Sequence, residues 1–178
     1  RQKLAEGAAF ARDIGAEFHC FTDLSDGFLP SADAGDEVAL RIADLIREVR
    51  PEVLVTHWPH SIHSDHEHAA KLALRARFLA GLPLERGRPR HGVGTVLHAE
   101  NWEDQEGFTP DRYVPVSAPA FRRWRDAVAQ QAFARGETYG FRYLDYYTAL
   151  LTLRGCLADT ERAVALATAE PGRTVGPL

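Results

Sequence analysis

A short apolar run, Val53-Leu54-Val55-Thr56, lies between two segments whose apolar residues repeat at helical spacing, residues 35–50 and 65–80. A run of this length, separated from the preceding helix by Pro51, is typical of a strand buried on both faces of a parallel sheet. The alternation of helix and strand predicts an α/β layered fold with a mainly parallel sheet.

The other segments extend this pattern along the chain. Further helices are predicted for residues 2–15, 118–135, 143–153 and 159–169. Further strands are predicted for residues 17–21, 94–99 and 112–116. Residues 170–178 are predicted to be a loose tail. The whole chain, residues 1–178, is predicted to form a single domain, because this length is sufficient for one sizeable core.

The composition is that of an ordinary folded protein and gives no sign of a nucleic-acid partner. The net charge is −4, and the basic residues are spread along the chain rather than clustered. No stretch is long and apolar enough to span a bilayer, and no leader is visible at the amino end. Two distant cysteines, Cys20 and Cys156, are predicted to be buried thiols in a reducing compartment. The expected location is therefore the cytoplasm.

Five of the eight histidines fall within residues 57–68, directly after the apolar run. Ligands of open α/β sheets bind outside the carboxyl ends of strands, so this stretch is predicted to hold the functional site. Its centre is His63-Ser64-Asp65-His66. Imidazole is the commonest protein ligand for zinc, and a neighbouring carboxylate can fix the tautomer of a ligating histidine. A second, unligated histidine can act as an acid or hold an oxyanion.

Other interpretations of the same residues stay open. The stretch could be a histidine-rich surface loop that binds nothing, and His57, His60 and His68 are each expected to be solvated or structural. Asp65 could instead cap the following helix with its carboxylate. The segment 100–106, with four carboxylates, is interpreted as a solvated acidic loop in preference to a metal or sugar site.

The histidine motif and the strand before it resemble the LmbE-like, or PIG-L, family of zinc-dependent N-deacetylases. The resemblance is carried by residues 51–56 and by His63-Ser64-Asp65-His66, where the family usually has proline in place of Ser64. Weaker similarities extend over most of the chain, at Lys3 with Glu6, Asp26-Gly27-x-Leu29, residues 113–117, and Arg154-Gly155 with Glu161. The resemblance implies a Rossmann-like three-layer sandwich.

The resemblance also implies an activity, a cofactor and a role for each site residue. The activity is that of a metal-dependent hydrolase that removes an acetyl group from an N-acetyl-amino-sugar conjugate with zinc-activated water. His66 would be a zinc ligand, and His63 would protonate or stabilise the tetrahedral intermediate. Asp65 would orient a histidine without binding the metal itself. Another divalent metal, such as iron or cobalt, could take the place of Zn²⁺.

One family motif has no counterpart in this sequence. The motif Ala-His-Pro-Asp-Asp-Glu supplies two zinc ligands and the general base in the family. The chain begins at Arg1 and contains no methionine. The expectation is therefore an amino-terminally truncated family member that lacks the first strand region. With one of three expected ligands, it would bind zinc weakly and be inactive alone.

Two hypotheses from other functional classes remain. The chain could be a non-catalytic sugar- or metal-binding α/β module with a decayed site, or a phosphate- or nucleotide-binding α/β domain with histidines on its surface. For the enzyme, the expected partner is a small-molecule N-acetylated sugar conjugate. A sugar phospholipid, a thiol-cofactor precursor, a chitin fragment and an antibiotic precursor all fit, and the oligomeric state is not predicted.

Overall fold

The computed structural model describes residues 2–85, 87–103, 106–138 and 140–169. Within these residues the chain forms five helices: α1 (Gln2–Ile14), α2 (Asp36–Val49), α3 (Ser64–Gly81), α4 (Ala118–Val128) and α5 (Tyr143–Leu157). It also forms four strands: β1 (Val53–His57), β2 (Thr95–Ala99), β3 (Arg112–Pro115) and β4 (Ala163–Thr168). The predicted loose tail, residues 170–178, lies outside the described residues.

The strands form a mixed sheet in the order β1-β2-β4-β3. β1 and β2 pair in parallel, from Val53 opposite Thr95 to His57 opposite Ala99. β2 and β4 pair antiparallel, with Leu97 opposite Thr168. The predicted α/β class is confirmed, whereas the mainly parallel sheet is not.

The predicted burial of β1 on both faces is wrong. Leu54 is partly buried and packs against the core, but Val53 and Val55 on the other face are 48% and 52% exposed. In the described residues β1 is the terminal strand of the sheet order, and β2 is its paired neighbour.

Three predicted elements are wrong. Residues 17–21 form no strand, the helix predicted for residues 118–135 ends at Val128, and residues 159–169 contain β4 instead of a helix. After α4, the guanidinium of Arg135 donates hydrogen bonds to the carbonyl oxygens of Ala129 and Gln130, at 3.2 and 2.6 Å. These bonds satisfy carbonyl groups that a longer helix would have paired internally.

Residues 163–168 form a strand because pairing in the sheet outweighs the helix preference of alanine. Asp159, with a φ of 54°, adopts a left-handed conformation between α5 and β4. The strand begins with alternating burial, with Ala163 and Ala165 buried and Val164 exposed, and Leu166 and Ala167 are buried as well. Alanine is the strongest helix former in isolation, so the local sequence alone favoured the wrong element.

Two compact units make up the chain, one comprising Arg1–Asp23 and Tyr113–Val164, the other Leu24–Arg112 and Ala165–Leu178. The single domain over residues 1–178 stays a prediction. Cys20 and Cys156, both in the first unit, are exposed free thiols, so their predicted burial is wrong. None of the helices in the described part of the chain is long and apolar enough to cross a membrane.

The core of the second unit is formed by the packing of α2 against α3. Its buried apolar residues include Val38, Ala39, Ala43 and Ile46 from α2 and Leu72, Ala76, Leu79 and Ala80 from α3. Arg47 is also buried, and its guanidinium donates to the carbonyl oxygens of Leu79, Ala80, Leu82 and Leu84 at 2.8–3.3 Å. This cation satisfies the carbonyl groups at the end of α3, where the helix dipole favours positive charge. The packing fixes α3, and with it the histidines at its other end.

Candidate active site

The loops that follow β1 and β2 meet at one edge of the sheet. β1 and β2 are parallel and in register to their last residues, so their carboxyl ends coincide. The backbone N–H of Ile62 donates to the carbonyl oxygen of Glu103 at 3.2 Å. The indole N–H of Trp58 donates to the carbonyl oxygen of Glu106 at 2.9 Å. The histidine-rich stretch and the acidic segment are therefore in contact at this edge.

His63 caps the amino end of α3 with its own ring. Its backbone is extended, and its Nδ1 atom lies 3.2 Å from the backbone N–H of Asp65. A backbone N–H can only donate, so Nδ1 is the acceptor and the neutral ring carries its proton on Nε2. The backbone N–H of His63 donates to Ser61 Oγ at 3.1 Å. His63 is thus held as a hydrogen-bond donor through Nε2.

His66 lies between two other imidazole rings. Its ring centroid is 4.1 Å from that of His57 and 4.7 Å from that of His63, with interplanar angles of 12° and 15°. The Nδ1 atom of His66 faces three polar groups, Asn101 Nδ2 at 3.3 Å, Ser61 Oγ at 3.4 Å and Glu103 Oε2 at 3.5 Å. Stacking and these polar groups fix the plane and direction of the ring.

This arrangement fits a role for His66 as one metal ligand. Because Nδ1 is directed at protein groups, Nε2 is the nitrogen that would bind a metal ion. A histidine ligand that offers its other nitrogen to a carboxylate is typical of zinc sites. Among the residues that the structure describes, no group of three or more His, Cys, Asp or Glu side chains is placed to hold a metal ion. The described residues therefore fit one ligand of a site rather than a complete set.

Asp65 attaches the loop before α2 to the first turn of α3. Its two carboxylate oxygens accept hydrogen bonds from the backbone N–H groups of Gly27 at 2.6 Å and Leu29 at 3.1 Å. His68 Nδ1 lies 2.6 Å from the carbonyl oxygen of Leu29, an acceptor, so His68 donates. The alternative of Asp65 as helix cap is wrong, since His63 is the cap. The role of Asp65 in orienting a histidine stays a prediction.

Two further histidines support the loops without facing His66. His60 is exposed and packs edge-on against Trp58, with ring centroids 5.7 Å apart. His98 in β2 is buried, and its Nδ1–H donates to the carbonyl oxygen of His57. Burial lowers the pKa of His98 below its usual value, so the ring is neutral at neutral pH. His98 therefore holds the end of β1, from which His57 reaches His66.

The residues around Nδ1 of His66 were not predicted from the sequence. Glu103 belongs to the segment that was interpreted as a solvated loop, yet its side chain is only 18% exposed. The signal that indicates Glu103 and Asn101 is their position after β2, since parallel neighbouring strands end at the same edge. Asp104, another carboxylate of that segment, lies outside the described residues.

The amino-terminal part of the chain matches a known family model. The PIG-L model, described as GlcNAc-PI de-N-acetylase, matches residues 1–77. A 1D-myo-inositol 2-acetamido-2-deoxy-alpha-D-glucopyranoside deacetylase of Streptomyces griseus subsp. griseus is 32% identical over 111 residues, 53% of this chain and 35% of that protein. The enzyme of the same name from Thermomonospora curvata is 43% identical over 61 residues, 33% of this chain and 18% of that protein. The matched region thus spans about a third or less of these relatives.

Solved structures share the fold over nearly the whole chain. A conserved protein from Thermus thermophilus is 26% identical with a TM-score of 0.78, covering 98% of this chain and 76% of that one. The 4-carboxy-2-hydroxymuconate hydratase of Pseudomonas putida is 24% identical with a TM-score of 0.72, covering 99% and 75%. The N,N'-diacetylchitobiose deacetylase of Pyrococcus horikoshii is 14% identical with a TM-score of 0.69, covering 97% and 67%. The last two likenesses show the fold alone, and the fold serves different reactions.

Proposed function

We propose that this chain, which is similar to the LmbE-like, or PIG-L, family and matches its model over residues 1–77, forms part of a zinc-dependent N-deacetylase acting on an N-acetyl-amino-sugar conjugate. The reaction would cleave the amide C–N bond of the acetamide with water and release acetate and an amine. The family motif with the other ligands and the base has no counterpart in the sequence, so the proposal concerns the product of the complete gene.

The observation that carries the proposal is that two stacked histidines, His63 and His66, direct their Nδ1 atoms at different groups. His63 accepts at Nδ1 and therefore presents Nε2–H, whereas Nδ1 of His66 faces Asn101, Ser61 and Glu103, so a metal ion would be bound through its Nε2. Their ring centroids are 4.7 Å apart. One ring is prepared to donate a hydrogen bond and the other to bind a cation, side by side at the end of β1. A surface loop without function would not require this pairing.

The chemistry of the chain's own residues follows from this pairing. A bound zinc ion would supply Lewis acidity, which lowers the pKa of water and polarises a carbonyl. His66 would contribute one nitrogen to hold that ion. His63 Nε2–H would donate a hydrogen bond to the oxygen that becomes negative in the tetrahedral intermediate. Asp65 and His68 would hold the Gly27–Leu29 loop beside these groups through their bonds to its backbone.

The likeness to deacetylases supports the substrate class without naming the substrate. The relatives from Streptomyces griseus and Thermomonospora curvata are named as deacetylases of 1D-myo-inositol 2-acetamido-2-deoxy-alpha-D-glucopyranoside. A first substrate panel therefore contains this glucosaminyl inositol and GlcNAc-PI, with N,N'-diacetylchitobiose as a further N-acetylated sugar. All three present the acetamide of an N-acetylglucosamine unit.

The test is acetate release by the purified product of the complete gene. The proposal expects zinc-dependent release from at least one member of the panel and its loss in His66→Ala. His60→Ala is the matched control, because His60 is an exposed histidine of the same stretch. Equal turnover by His66→Ala and the wild type would reject the proposal. Zinc binding without acetate release from any member would favour the non-catalytic module instead.

A further inference from the structure

A cavity of about 230 Å³ lies between the loops that follow β1 and β2. Its described lining residues come from both loops and are His60, Ser61, Ile62, Trp102, Glu103 and Glu106. We propose that this cavity binds a neutral polyhydroxyl ring, such as an inositol, attached to the acetamide-bearing sugar, and that its carboxylates disfavour a phosphorylated ring. The inference rests on the proposed function and narrows its substrate class.

The cavity adjoins the candidate site through three of its lining residues. Ser61 Oγ accepts from the backbone N–H of His63 at 3.1 Å and lies 3.4 Å from Nδ1 of His66. Glu103 Oε2 lies 3.5 Å from the same Nδ1 atom. Ile62 directly precedes His63 in the chain. A substrate whose acetamide is held at these histidines therefore has the cavity beside it for the next ring.

The lining suits a ring that carries hydroxyl groups. Such a ring has C–H groups on its faces and hydroxyl groups around its edge. The partly buried indole of Trp102 and the 82% exposed side chain of Ile62 offer apolar surface to the C–H groups. The carboxylates of Glu103 and Glu106 are acceptors for the hydroxyl groups. Sites for drug-sized ligands occupy about 300–1,000 Å³, so this smaller cavity suits a single ring.

Backbone contacts between the two loops hold the walls of the cavity together. The backbone N–H of Ile62 donates to the carbonyl oxygen of Glu103 at 3.2 Å. The indole N–H of Trp58 donates to the carbonyl oxygen of Glu106 at 2.9 Å. Trp58 also packs edge-on against Phe108, with ring centroids 5.3 Å apart. The cavity is therefore formed before a ligand enters, so little ordering of the loops opposes binding.

Charge is the basis of the expected selectivity. Two of the described lining residues are glutamates, and none of them is lysine or arginine. His60, the one described lining residue that can become cationic, is exposed and packs edge-on against Trp58, so solvent and salt screen its charge. A phosphate on the bound ring would face the carboxylates of Glu103 and Glu106, and like charges brought together oppose binding. A neutral ring meets only hydrogen-bond acceptors there.

The test compares two soluble substrates of the complete gene product, the glucosaminyl inositol and the same molecule with one phosphate on its inositol. We expect kcat/KM for acetate release to be at least about tenfold higher for the neutral substrate. Glu106→Gln keeps the backbone carbonyl that binds Trp58 and should reduce this ratio several-fold. Glu37→Gln, which removes an exposed carboxylate of α2, should keep the wild-type ratio. Equal kcat/KM values in the wild type, an unchanged ratio in Glu106→Gln, or an equal fall in both variants would overturn the inference.

Binding of the isolated ring separates this inference from the proposed function. Neither myo-inositol nor myo-inositol 1-phosphate contains an acetamide, so both can be titrated into the protein whether or not it is a deacetylase. The indole N–H resonance of Trp102, identified by its absence in Trp102→Phe, should shift with myo-inositol and much less with the phosphate. Acetate release from neither substrate would reject the proposed function, and the titration would then decide on the cavity alone. No shift with myo-inositol, or equal shifts with both rings, would overturn the inference.

Discussion

The backbone N–H of Asp65 donates to Nδ1 of His63 at 3.2 Å, so one imidazole both caps α3 and enters the candidate site. A helix cap is normally a serine, threonine, aspartate or asparagine. A histidine in this position links the start of the helix to the protonation pattern of the ring. The stability of α3 and the chemistry of His63 can therefore be separated by substitution.

His63→Ala should lose both functions of the ring. Loss of a helix cap costs about 0.5–2 kcal/mol of unfolding free energy, and loss of an oxyanion donor slows turnover about 10²–10³-fold. His63→Asp restores a capping oxygen without an N–H donor, so it should recover stability and remain slow. Urea unfolding and the rate of acetate release measure the two effects. A fast His63→Asp variant would remove His63 from the mechanism.

Asp65 should act on the loop that it binds as well as on the site. Its carboxylate holds the amides of Gly27 and Leu29, and loss of a hydrogen bond to a charged group costs about 1.5–3 kcal/mol. Asp65→Ala should therefore lower the unfolding free energy and raise amide hydrogen exchange at both positions. Unchanged exchange at Gly27 and Leu29 would show that the loop is held by other contacts. Asp36→Ala, which alters an exposed carboxylate of α2, is the control.

The prediction of local elements succeeded where periodicity was strong and failed where long-range pairing decided. The apolar spacing of α2 and the polar-to-apolar transition around β1 are local signals, and both elements were predicted within one or two residues. β4 was predicted as a helix because its alanines favour one in isolation. Its strand form depends on β2, more than sixty residues earlier in the chain.

The residues of the candidate site also fall into two groups, those predictable from the local sequence and those that depend on long-range pairing. The motif from His63 to His66 is contiguous, so its residues and their closeness to a strand end were readable. Glu103 and Asn101 reach His66 only because β1 and β2 pair in parallel with aligned ends. That register depends on the tertiary structure, which the composition and residue spacing do not reveal. The acidic segment was consequently interpreted as a solvated loop.

The buried ring of His98 predicts a pH dependence of stability. Burial is the main cause that lowers the pKa of His98 from 6.5, while a nearby His60 adds to the shift and the bond to His57 opposes it. The unfolded chain then binds a proton at a higher pH than the folded chain, so the unfolding free energy falls as pH drops below about 6.5. His98→Asn, which keeps an N–H donor, should flatten this decline in urea titrations between about pH 7.5 and 5. An equally steep decline in the variant would contradict the assignment.

Gly155 in α5 should tolerate no side chain. A Cβ atom there would lie 2.7 Å from the backbone of Arg162 and from the carbonyl oxygen of Glu161. Overpacking of this kind costs about 1–3 kcal/mol, so Gly155→Ala should lower the urea midpoint clearly. Gly81→Ala is the control, since its Cβ would meet nothing within 4 Å. A Gly155→Ala protein as stable as Gly81→Ala would refute the close approach.

We propose above that the Nε2 atom of His66 binds a catalytic zinc ion. The most direct test of this proposal is a crystal structure of the zinc-loaded product of the complete gene, with anomalous differences measured at the zinc edge. The account predicts a zinc peak about 2.0–2.1 Å from Nε2 of His66, with Nδ1 facing Glu103. A zinc ion bound elsewhere, or held by Nδ1 of that ring, would contradict it.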